Sequence, residues 1–355
     1  MTHMKNTIVN LIKMHGPMTL ADYMMDCLMH PHHGYYQNEK IFGSDGDFIT
    51  APEISQLFGE MIGLWLIDQW RTLGSPSNFN LVECGPGRGT LMVDILRTAK
   101  KTPGFLIGAK VFFIEQSKQL RAEQKKRVPH ANWLNDVSEL YAGPTLVIAN
   151  EFFDALPIHQ FQKHDGAWLE RKIGLDSEDN LKWQLGPPSA LVSLIPPDIM
   201  LQQQGTIIEV CPASYRISGL IAKHIAKYRG SALFIDYGYD TNAAGETFQA
   251  MKGHAYVDPL DEVGKTDLTA HVNFDMIARA AAENGVVAHG PVGQGSFLMS
   301  LGMGQRVMEL AKNTDVAGQE NLLACIKRLT SPDEMGELFR VIALVGAGQR
   351  TVPGF

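Results

Sequence analysis

The chain has little of what several function classes depend on. Its 355 residues include only four cysteines, Cys27, Cys84, Cys211 and Cys325, far apart and with no C-x-x-C pair. That spacing argues against a zinc knuckle and suits a reducing compartment. Basic residues are no surplus either, with 31 Lys and Arg against 38 Asp and Glu for a net charge of −7. Nucleic acid is therefore not an expected partner, since phosphate binding relies on clustered positive charge. No uninterrupted apolar run reaches bilayer-spanning length, so no membrane insertion is expected. Met1 to Met14 has no arginine and no signal-peptide core, and the expected location is cytoplasmic. The cluster His30 to His33 lies on a Pro/Gly turn with no carboxylate at a matching helical spacing, and no metal is expected there.

What is present is ordinary globular composition, 45% hydrophobic and 19% charged, with one stretch that organises the rest. Phe79 to Cys84 is an apolar run carrying an acid, Glu83; Gly85-Pro86-Gly87-Arg88-Gly89 is a turn; Thr90 to Arg97 has helical spacing. Strand, glycine loop and helix make an α/β nucleotide-binding unit. A dinucleotide site wants G-x-G-x-x-G, but here Thr90 stands where its third glycine would be. Glu83 would repel a pyrophosphate and suits a ligand carrying ammonium and sulfonium charges. The phrase E-x-G-x-G-x-G looks like the first motif of Rossmann-like S-adenosylmethionine-dependent methyltransferases. A nicotinamide site and a plain structural turn remain the alternatives.

Two further strand-end acids follow. Ala109 to Glu115 is a buried strand whose Glu115 is placed to accept hydrogen bonds from both ribose hydroxyls. Trp133 to Val137 brings Asp136, which either meets an adenine amino group or serves as a turn aspartate. The fourth strand, Thr145 to Ala149, runs into Asn150-Glu151-Phe152-Phe153-Asp154-Ala155-Leu156-Pro157. Ligands of open α/β sheets bind at carboxyl strand ends. Glu151 and Asp154, three apart, are expected on one side of a helical turn.

The organisation expected is an N-terminal helical and lid region over 1–78, a first α/β part over 79–157, a β-meander insertion over 158–205 and a second α/β part over 206–355. Thr50, Pro52 and Glu53 fall in a loop and capped helix that either cover the ligand or are merely structural, with the helix running on through Trp70. His271, before a helix through Asn284, is the candidate for proton transfer.

Four motifs occur in order: Gly46-Asp47-Phe48-Ile49-Thr50-Ala51-Pro52-Glu53-Ile54-Ser55-Gln56, Glu83 to Thr90, Asn150 to Pro157, and Asp267-Leu268-Thr269-Ala270-His271-Val272. Together they resemble the MidA family over roughly residues 10–350. Mitochondrial members of that family are complex I assembly factors acting as protein arginine methyltransferases. Asn273 stands where the family has an aspartate, and Val263 where it has a proline. The resemblance implies a Rossmann-like class I methyltransferase, α/β with a doubly wound sheet, using S-adenosyl-L-methionine. It also implies methylation of an arginine in a core subunit of respiratory complex I.

On this reading Glu83, Gly85, Gly87, Gly89, Thr90, Glu115, Asp136, Asn150, Thr50 and Pro52 hold the donor. Glu151, then Asp154, grip the guanidinium fork and His271 takes a proton, with Glu53, Phe152 and Phe153 on the substrate side. Two rivals stay open: an NAD-dependent oxidoreductase, and an assembly factor that binds the donor without turnover.

Overall fold

The computed structural model describes residues 3–37, 50–197, 199–253 and 255–355. Gly46 to Ile49 of the first motif lie outside the described residues. The chain forms two units. One is made of Ile49–Phe153, Ile217–Asp240 and Phe274–Phe355; the other of Met1–Phe48, Asp154–Arg216 and Thr241–Asn273.

The first unit holds the expected α/β sheet. Its strands are β1 (Phe79–Cys84), β2 (Ala109–Ile114), β3 (Asn132–Leu134), β4 (Thr145–Asn150), β5 (Gly230–Tyr239), β6 (Val286–Gly293) and β7 (Phe339–Gly346). They lie in the order β6-β7-β5-β4-β1-β2-β3. β1 to β5 are mutually parallel, and β7 runs antiparallel to both β5 and β6. Strand order therefore reverses between β1 and β4, where Cys84 pairs with Ala149. A crevice opens at such a reversal because the two connections leave in opposite directions.

β1 and β4, mostly apolar, are buried along their whole length, as a parallel strand covered on both faces is. Beside them pack α1 (Ala51–Ile54), α2 (Gln56–Thr72), α3 (Thr90–Ala99) and α4 (Lys118–Arg127). Trp65, Phe58, Phe79, Phe105 and Phe113 are fully buried here, each worth about 1.5–3 kcal/mol in transfer terms. One continuous helix through Trp70 is expected, but Ser55 adopts extended backbone at φ −158° and caps α2 through its hydroxyl to the Leu57 amide.

In the second unit the helices His3–His15 and Leu20–Met29 pack with a sheet. Thr19 caps the second helix by accepting from the Asp22 amide at 3.0 Å. The strands His159–His164, Ala167–Leu175 and Leu181–Leu185 form the expected meander. Two pairings differ from the sequence reading. Met18–Thr19 joins Ala167–Leu175, and Ile207–Val210 joins His159–His164. Residues 3–37 and 207–210 thus belong with the meander, whereas the helices over 51–72 belong with the α/β sheet, so residues 1–78 are not one helical region and the α/β core does not resume at 206. The reason is non-local: a strand's partner is fixed by which edge is free, and periodicity does not carry that information.

Candidate functional site

The carboxyl ends of β1, β2 and β4 supply the site. Gly85, Gly87 and Gly89 all have left-handed backbone, with φ of 61°, 51° and 81°. Side chains rarely adopt that region, so the turn needs glycine for conformation alone. At Gly85 space adds a second reason, because a Cβ there would come within 2.7 Å of Cδ2 of Phe152. The neighbour that excludes a side chain at Gly85 is thus the protein's own Phe152 ring. At Gly89, which opens α3, an added Cβ would meet only Gln124 at ordinary contact distance.

Glu83 is 3% exposed, and its Oε2 has no hydrogen-bond partner among the described residues. Burial pushes its carboxyl well above the usual carboxylate range. Oδ1 of Asn150, at the end of β4, is likewise buried and without a partner among the described residues. Two buried acceptors without donors cost free energy unless a donor arrives. Their positions on adjacent strands fit a ligand bearing an ammonium group.

Glu115 is also buried, and burial raises its carboxyl, offset by hydrogen bonds from Ser117 and Gln124. The Ser117 amide donates to its Oε1 at 2.8 Å. Asp136 caps the short helical turn Val137–Glu139, accepting from the Ser138 amide at 2.9 Å. That is the role of a turn aspartate.

Thr90 and Glu53 meet: the Thr90 hydroxyl donates to Glu53 Oε1 at 2.6 Å and accepts from Arg127 at 2.9 Å. Glu53, expected on the substrate side, is engaged with the glycine turn. Thr50 precedes α1 without a side-chain capping bond, and Pro52 sits in its first turn.

After β4 the chain does not form the expected helical turn. Residues 151–155 form no helix, and Glu151 has φ of 49°, a conformation costing about 1–3 kcal/mol for a side-chain residue. Glu151 Oε1 accepts from the Ala51 amide at 3.1 Å and from Asn150 Nδ2 at 3.0 Å. Phe152 is half-buried beside Gly85. Phe153, expected to face substrate, is instead 3% exposed and packs on Phe234 with ring centroids 4.9 Å apart. It is a core side chain because its neighbour on β5 is apolar.

Asp154 and His271 fall in the other unit. Asp154 is buried, and its carbonyl accepts from the Ala270 amide at 3.0 Å. The His271 amide donates to Thr247 Oγ1 at 2.9 Å. Burial lowers the imidazole pKa below its ordinary value, favouring the neutral form that accepts a proton. Asn273 donates to Asn242 at 3.0 Å.

Two residues of the site were not singled out by sequence reasoning. Gln124 gives no signal, lying in a helix that is basic and polar yet being fully buried itself. Asp236 has one: like Glu83 and Glu115, it is an acid toward the carboxyl end of a buried strand. Among the described residues, no group of three His, Cys, Asp or Glu could hold a metal ion, and no helix is long and apolar enough to cross a membrane.

Known proteins share this architecture. Residues 61–292 match the family model described as "Putative S-adenosyl-L-methionine-dependent methyltransferase". Protein arginine methyltransferase NDUFAF7 homolog, mitochondrial, from Drosophila melanogaster is 37% identical, covering 93% of this chain and 82% of that protein. Protein arginine methyltransferase NDUFAF7, mitochondrial, from Homo sapiens is 35% identical, covering 97% and 83%. A Burkholderia thailandensis structure bound to S-adenosyl-homocysteine aligns with a TM-score of 0.86 at 25% identity, over 99% of this chain and 95% of that one.

Proposed function

The chain belongs to the S-adenosyl-L-methionine-dependent methyltransferase family that it matches, and from this premise we propose that its methyl acceptor is the guanidinium of a protein arginine. The donor half rests on one observation: at the reversal in strand order Glu83 is buried with an oxygen that has no partner among the described residues. Glu83 and Asn150 would hold the donor's ammonium, and Glu115 its ribose hydroxyls. Once bound, the donor supplies an electrophilic methyl on a positively charged sulfur.

The residues around it align and desolvate, since displacement at sulfonium needs little acid or base assistance. An arginine side chain keeps its charge after methylation, so one proton leaves. Glu151 offers the acceptor a carboxylate at the end of β4, on a backbone held in a costly conformation. A carboxylate matches the guanidinium fork and polarises it toward the attacking nitrogen. The names of the relatives at 35% and 37% identity support arginine as the acceptor. The resemblance noted above makes a core subunit of respiratory complex I the first protein to test. The proposed setting is cytoplasmic, supported by four free thiols.

Incubation with methyl-labelled donor and lysate, followed by mass spectrometry of methylarginine, tests the reading. Labelled arginine is expected with the wild type and not with Glu151→Gln. Equal labelling by the variant removes Glu151 from the mechanism, and label confined to small molecules removes the protein acceptor.

A further inference from the structure

β4 ends at Asn150, which pairs with Ile235 of β5, and the Glu151 amide still donates to the Ile235 carbonyl at 2.9 Å. Beyond that point β5 continues to Tyr239 while the chain after β4 turns away. The amides of Phe152 and Phe153 therefore lose the ladder just where they are covered from water. Unpaired and buried, each would cost about 1–3 kcal/mol. The next residue of β5 is Asp236, fully buried. Its Oδ2 accepts from the Phe152 amide at 3.1 Å and the Phe153 amide at 2.9 Å, and its Oδ1 from the Tyr237 amide at 3.0 Å.

From this geometry we infer that Asp236 is a positioning residue of the donor site, acting through Phe152. The inference rests on the donor reading above. Three backbone donors converge on one carboxylate, a stronger arrangement than neutral hydrogen bonds provide. It stabilises the turn in which Glu151 is left-handed and Phe152 lies against Gly85. The alternative for residues 151–154 is a first turn of helix, which would point both side chains elsewhere. Asp236 gives the amides of Phe152 and Phe153 the acceptor that β4's ladder no longer supplies. A carboxylate is specifically suited because its oxygens accept only; an asparagine would aim an NH2 at donors or give up one bond.

The test is a double-mutant cycle read by calorimetric titration with S-adenosylhomocysteine. Asp236→Asn and Phe152→Ala are each expected to weaken binding about tenfold. If Asp236 acts through Phe152, the double variant binds no more weakly than Asp236→Asn alone. Hydrogen exchange of the peptide spanning residues 150–154 is expected to speed up in Asp236→Asn but not in Phe152→Ala. Additive losses, or wild-type affinity in Asp236→Asn, overturn the inference. Should Asp236→Asn fail to fold, Phe152→Ala decides alone, because undiminished binding there breaks the chain of contacts. Absence of binding by the wild type would instead reject the donor reading itself.

Discussion

Gln124 donates through one side-chain nitrogen to both Glu115 and the glycine turn: Nε2 lies 3.2 Å from Glu115 Oε2 and 2.7 Å from the Gly87 carbonyl. Its Oε1 accepts from Trp133 Nε1 at 2.7 Å. The acid at the end of β2 and the turn after β1 are thereby held to one another by a residue of α4.

Removing that amide should disturb both at once. Gln124→Met keeps much of the volume and leaves Glu115 Oε2, the Gly87 carbonyl and the Trp133 N–H each without this partner. A loss of about 1–3 kcal/mol in urea unfolding is expected. Weaker S-adenosylhomocysteine binding should accompany it. If stability falls while affinity stays, Glu115 does not need this support.

Affinity for S-adenosylhomocysteine should rise with pH because of Glu83. Burial raises its pKa in the free protein, whereas a bound ammonium favours the carboxylate. Binding then releases a proton, and affinity climbs by up to about tenfold per pH unit until the free-protein pKa is passed. Titration in buffers of different ionisation heat measures the release. Glu83→Gln should bind weakly and without this dependence; an unchanged profile would assign it to another group.

Alanine at two glycines of the turn should behave differently. Gly85→Ala strains a φ of 61° and drives a methyl into Phe152, so both thermal stability and donor binding are expected to fall. Gly89→Ala strains a φ of 81° but meets Gln124 only at 3.7 Å, for a cost near 1–2 kcal/mol with binding retained. Equal binding losses would show that the Phe152 contact is not what Gly85 is for.

Asp94, on α3, gives a pH window for stability. Burial raises its pKa from 3.8 to about 6, although Arg97, 3.0 Å away, pulls it down. The folded state therefore keeps a proton that the unfolded chain releases, and stability falls as pH rises between those values, with no further loss above. Asp94→Asn should lose less stability across this window in urea unfolding. Parallel curves for the two proteins would show that Asp94 is ionised throughout.

The sequence by itself determined the α/β class, the order of strand and helix from Phe79 to Asn150, and the strand-end positions of Glu83, Glu115 and Asn150. These are local features: apolar periodicity, glycine in a turn and an acid at a strand end each act within a few residues. Only the tertiary structure decided the rest. It turned Glu151 left-handed where a helical turn was expected, at the point where β5 outruns β4 and Asp236 accepts from the amides of Phe152 and Phe153. It buried Gln124 in a polar helix, set Phe152 against Gly85, and gave Ile207–Val210 to the meander. Each depends on which strand lies beside which, and that choice is made by segments far apart in the chain.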